Sequence, residues 1–74
     1  MNEFPLRDEF IELIKLLKVM NFVESGGMAK AVVDEGLVTV NGEVESRKRR
    51  KLIAGDVVQF DTQSVTVLPP LPKP

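Results

Sequence analysis

Two groups of residues in this chain combine type and spacing in a way that suits chemistry, and both point at anions. Arg47-Lys48-Arg49-Arg50-Lys51 places five of the ten basic residues in consecutive positions. Arginine's planar fork matches phosphate oxygens bidentately, and lysine adds a compact point charge. Upstream, Ser25-Gly26-Gly27 stands where a second helix should begin, and Lys30 follows on a polar face. A helix N-terminus presents unpaired N–H groups and partial positive charge, and glycine lets a phosphate approach without a Cβ in the way. Each group also has a plainer reading. A charge run can be a solvated loop, and Ser25 can simply cap its helix while the glycines permit the turn.

The remaining charge sharpens the contrast. Residues 1 to 46 carry four basic side chains against nine acidic ones, so the run stands out on an otherwise acidic chain of net charge -1. Over a Debye length of roughly 8 to 10 Å, the local field and not the total decides what a polyanion meets. The run also lies between a hairpin signal and a glycine turn, where ordering it on binding loses less entropy than in a free tail. The four phenylalanines, Phe4, Phe10, Phe22 and Phe60, sit on apolar patterns and are expected in the core. Base stacking of the single-strand-binding kind is therefore not anticipated, and recognition of folded RNA by shape and backbone fits better.

Other chemistry is poorly served. With no cysteine and no histidine, thiol nucleophiles, imidazole acid–base catalysis and the usual zinc sites are excluded, and neither cofactor nor metal is expected. Asp34-Glu35, Glu43 and Glu45 come with no evident pocket, so a non-enzyme is expected. Glu43 and Glu45 share a strand face by period two and are expected to face solvent, with local pairing to the basic run as the alternative. Seventy-four residues with 43% apolar content suit one small domain without a disulfide staple, and reducing cytoplasm is its natural compartment. The mostly apolar stretch from residue 10 to 23 is broken by Glu12, Lys15, Lys18 and Asn21, so no membrane span is expected. No secretion signal is read at the start of the chain, and a monomer is expected.

The elements that must position these residues follow from periodicity. Phe4-Pro5-Leu6 suggests a short edge strand. Phe10, Ile14 and Leu17, joined by Ile11, Leu13 and Met20, predict a helix over residues 8 to 20, with Asp8 and Glu12 at its start and Lys15 and Lys18 toward its end. Glu12 is spaced to pair with Lys15. About four residues then connect to the second helix, which Ser25 caps, Ala29, Val32 and Val33 bury, and Gly36 ends. Leu37 to Val40, the Asn41-Gly42 turn and Glu43 to Glu45 read as a hairpin. After the basic run, Leu52 and Ile53 lead to an Ala54-Gly55-Asp56 turn, residues 57 to 60 form a strand, residues 61 to 64 turn, and residues 65 to 68 form the last strand. The fold class is α+β: a two-helix hairpin packed on a small, mostly antiparallel twisted sheet of about four or five short strands. One domain over residues 1 to 68 precedes a proline-rich disordered tail, residues 69 to 74.

With Ser25-x-x-x-Ala29-Lys30, the string from Glu35 through Gly42 and the later Gly55-Asp56-Val57-Val58, residues 9 to 60 resemble the RNA-binding domain named after ribosomal small-subunit protein four, the αL motif. The stretch EGLVTVNGEVESRKRRKLIAGD, with LLK and ESGGMAK, looks like its small stand-alone bacterial branch, the YbcJ-like proteins. The resemblance implies a two-helix unit on a small sheet that grips RNA mainly through phosphates. Its landmarks fall on Ser25, Gly26, Lys30 and Asn41-Gly42, and the basic run follows where this branch carries one. One departure is clear. Where many members open the first helix with Arg-Leu-Asp, this chain has Glu12-Leu13-Ile14, so that arginine contact is absent.

The expected function is non-catalytic binding of structured RNA, ribosomal RNA or ribosome assembly intermediates. Arg47, Lys48, Arg49, Arg50, Lys51, Lys30, Ser25, Gly26 and Gly27 are the expected RNA-binding residues. The alternative is a protein-interaction adaptor whose basic loop docks an acidic partner.

Overall fold

The computed structural model describes residues 2–72, so Lys73 and Pro74 of the expected tail lie outside the described residues. In chain order the elements are β1 (Asn2–Pro5), β2 (Ile11–Glu12), α1 (Leu13–Val19), α2 (Gly26–Asp34), β3 (Val38–Val40), β4 (Glu43–Val44), β5 (Lys51–Leu52), β6 (Val57–Phe60) and β7 (Gln63–Leu68). Five strands form one sheet in the order β1-β7-β6-β3-β4, and β2 pairs with β5 in a second, two-stranded sheet. Among the described residues β1 and β7 run parallel and the other pairs are antiparallel. The α+β class with a mostly antiparallel sheet is what the sequence predicts.

The hairpins form for the reasons read in the chain. Asn41 and Gly42 both have positive φ, 54° and 87°, as a type I′ turn between β3 and β4 requires. Asn41 does more than turn the chain. Its Oδ1 accepts from the Val57 N–H at 2.9 Å and its Nδ2 donates to Asp56 at 3.0 Å, which ties this turn to the start of β6. At the other end of β6 the turn is shorter than residues 61 to 64. Gln63 and Ser64 pair with Phe60 and Gln59, so two residues suffice, with Asp61 at φ 58°.

Burial draws the two layers together. Leu13, Leu16 and Leu17 from α1 and Ala29, Val32 and Val33 from α2 are buried with Val38, Val40, Val58, Val65 and Val67 of the sheet. Ser25 caps α2 as anticipated, accepting from the Met28 N–H at 3.1 Å. Gly36 follows the helix at φ 75°, the left-handed position that ends it.

The first helix departs from the prediction of residues 8 to 20. It begins at Leu13, because Ile11 and Glu12 are extended and pair with Leu52 and Lys51. Periodicity could not separate these cases: Ile11 is buried in either conformation. Asp8 and Glu12 therefore lie outside the helix, and Glu12–Lys15 is not among the ion pairs of the described residues. The helix closes at Met20, with Asn21 at φ 59° and the Phe22 N–H donating back to the Leu17 carbonyl at 3.0 Å. Six residues, 20 to 25, then connect the helices instead of four. Residues 69 to 72 carry no regular structure and are exposed.

Candidate nucleic-acid interface

The basic run is fastened to the fold through its backbone. A helix leaves its first N–H groups without partners, and in α1 two of these are met by the loop itself. Leu13 N–H donates to the Arg50 carbonyl at 2.9 Å and Ile14 N–H to the Lys48 carbonyl at 3.2 Å. Arg50 N–H turns back to the Arg47 carbonyl, and Lys51 enters β5. The loop thus caps α1, and α1 holds the loop in one shape.

Its side chains are divided by an acid. Of the two readings of Glu45, facing solvent beside Glu43 or pairing with the basic run, the structure shows the second: Glu45 is 6% exposed and pairs with Arg47 and Arg50, while Glu43 remains outside. Strand alternation fails here because β4 ends at Val44 and the chain turns Glu45 inward, its N–H bonded to the Val38 carbonyl. The carboxylate then gathers Arg47 through its Nε, Nη2 and backbone N–H, at 2.9 to 3.1 Å, and Arg50 through Nη1 at 2.7 Å. The Arg47 side-chain bonds, its backbone N–H and Arg50 together hold the carboxyl at about 2 against the opposing effect of burial, where 4.5 is usual. Lys48 is paired too, with Asp34 at the end of α2 at 3.0 Å. Among the described residues, Arg49 and Lys51 are the members of the run without a carboxylate partner.

The second expected group lies at the other end of α2. Gly26 opens the helix beside α1, where an added Cβ would meet the Lys18 side chain at 3.8 Å. At Gly27 an added Cβ would meet only the Ser25 Oγ, also at 3.8 Å. Packing therefore does not demand glycine at either position. Lys30 is exposed one turn beyond Gly26, and helical side chains lean toward the N-terminus. Since Asp34 holds Lys48 at the far end of a nine-residue helix, the two groups are separated by about 12 Å of helix rise. They form two stations along the helical pair, not one cluster.

Comparison with known proteins places this architecture. A family model described as the S4 domain matches residues 4–68. The chain belongs to the S4 domain family. Among relatives, YbcJ of Escherichia coli (strain K12) is 48% identical over 58 residues, which cover 78% of this chain and 83% of that protein. RlbA of Bacillus subtilis (strain 168), named a probable ribosome maturation protein, is 42% identical over 60 residues, covering 81% and 84%. The solution structure of Escherichia coli YbcJ, described as revealing an αL motif involved in RNA binding, matches with a TM-score of 0.71 at 45% identity over 92% of this chain and 87% of that one.

This S4 domain also carries a surface feature that its sequence concealed. Phe22 is buried and Phe4 and Phe60 pack partly against the core, but Phe10 is 39% exposed. It stands just before β2, whose first residue, Ile11, is buried. The Lys51 ammonium lies 4.9 Å from its ring centroid. No local signal in the sequence marks it, because Phe10 and Ile11 fit one apolar face of the expected helix. No helix of the described residues is long and apolar enough to cross a membrane.

Proposed function

We propose that this S4 domain binds structured RNA, of the ribosome or its assembly intermediates, through phosphate contacts and without catalysis. The observation that carries the reading is the capping of α1 by the basic loop. Two backbone hydrogen bonds fix the loop's shape while Arg49 and Lys51 are exposed and, among the described residues, without carboxylate partners, so binding orders little that is not already ordered. The start of α2, with Ser25, Gly26, Gly27 and Lys30, supplies a second phosphate seat at the other end of that helix from the Asp34–Lys48 pair, about 12 Å from it by helix rise. Two seats at that separation suit a backbone followed over several nucleotides or across a groove, which is how folded RNA is read by shape. The names of YbcJ's motif and of RlbA support RNA and the ribosome as partners.

Crosslinking the protein to RNA in cells and sequencing the bound fragments tests this directly. Enrichment of ribosomal RNA segments is the expected result; recovery of protein partners that survive ribonuclease, with no enriched RNA, would favour the adaptor instead.

A further inference from the structure

An open cleft of about 550 Å³ borders the N-terminal side of α1, with Phe4 and Phe10 among its walls and Arg7, Asp8, Glu12 and Lys15 at its edges. It adjoins the basic loop directly, because Glu12 pairs in register with Lys51 and the Lys51 ammonium sits over the Phe10 ring. The cleft therefore joins an aromatic side chain to two cations, Arg7 and Lys15, and two carboxylates, Asp8 and Glu12, with Lys51 beside it over the Phe10 ring.

An apolar peptide side chain would use the ring and the apolar walls but would leave these charges without work. A nucleotide uses all of them. Its base has a flat face for the ring, its exocyclic amino groups donate to carboxylates, and its phosphate lies one sugar away from the base. We propose that an unpaired base of the bound RNA stacks on Phe10 in this cleft, with Lys51 taking the adjoining phosphate. The inference rests on the RNA-binding reading and adds to it a contact with a base, beyond phosphates alone. In the free protein the Lys51 ammonium lies 4.9 Å from the centre of the ring; a phosphate oxygen is the stronger partner for the ammonium, and its transfer leaves the aromatic face to the base.

The test uses two RNA hairpins with the same stem, one fully paired and one carrying a single bulged adenine. The bulged RNA is expected to bind about tenfold more tightly, in keeping with the stacking of one base on an aromatic side chain. Phe10→Leu keeps apolar bulk but lacks the ring face, so it should bind both hairpins alike, while Phe10→Tyr should retain the preference. In wild-type protein, nuclear Overhauser contacts between the Phe10 ring and the bulged adenine are expected, a readout that does not depend on any variant folding. Equal binding of the two hairpins by the wild type, an unchanged preference in Phe10→Leu, or the absence of those ring contacts overturns the stacking site and leaves phosphate binding intact. Binding of neither hairpin overturns the RNA-binding reading, and the stacking site with it.

Discussion

The Glu45 carboxylate accepts from Arg50 Nη1 at 2.7 Å from a position only 6% exposed, so the basic loop folds around an acid. Charge-assisted bonds from two arginines and a backbone N–H satisfy that carboxylate and offset its removal from water.

Acid should expose this arrangement. Because the folded-state value of Glu45 is depressed to about 2 from the usual 4.5, its contribution is fully present above the unfolded value and is lost as pH falls from there through the folded one. Thermal unfolding of the wild type should lose stability over that window. Glu45→Gln should show a weaker dependence there, and at neutral pH it should be less stable by about 1–3 kcal/mol, the cost of losing hydrogen bonds to charged groups. Identical pH profiles for the two proteins would remove Glu45 as the organiser of the loop.

Arg49 and Arg50 should respond differently to charge reversal. Arg49 is exposed and has no carboxylate partner among the described residues, so Arg49→Glu should weaken RNA binding at an unchanged melting temperature. Arg50→Glu sets a second carboxylate against Glu45 and should lower the melting temperature as well. Calorimetry of both variants beside RNA titrations separates the roles; equal melting temperatures would contradict the inward role of Arg50.

The salt dependence of binding should be shallower than the run suggests. Five phosphate contacts would give a log-log slope of roughly -3.5 to -4.5. With Arg47, Arg50 and Lys48 held by Glu45 and Asp34, a slope shallower than about -3 is expected from affinities measured across a salt series. A steeper slope would mean that these pairs exchange their acids for phosphates on binding.

Gly27→Ala should separate stability from binding. A Cβ there meets nothing closer than the Ser25 Oγ at 3.8 Å, and alanine lowers the entropy of the unfolded chain, so a gain of about 0.5 kcal/mol is expected in denaturant melts. RNA affinity should fall if a phosphate approaches these amides closely. Unchanged affinity would take the start of α2 out of the interface.

Asn41 should matter for the fold more than a turn residue usually does. Asn41→Ala removes both side-chain bonds to the 56–57 segment and places alanine at positive φ. A loss of about 1–3 kcal/mol in urea unfolding is expected; a loss of only a few tenths would show the two hairpins to be independent.

Local signals fixed much of this molecule. The Ser25 cap, the Gly36 stop, the Asn41-Gly42 turn and the Ala29-Val32-Val33 stripe each depend on neighbours a few residues away, and each stands where the chain indicates. So does the location of the cationic segment, since five adjacent basic side chains need no tertiary contact to share a place. What these residues do with their charge was settled only by long-range pairing. The loop carbonyls reach back to Leu13 and Ile14, β5 straightens residues 11 and 12 out of the helix, and Phe10 stands exposed beside Lys51. Helical and extended periods agree on burying Ile11, so the sequence could not choose between them. Similarly, Glu45 turns inward only because β4 ends before it and two arginines meet it there, and neither its burial nor their geometry is written in a two-residue spacing.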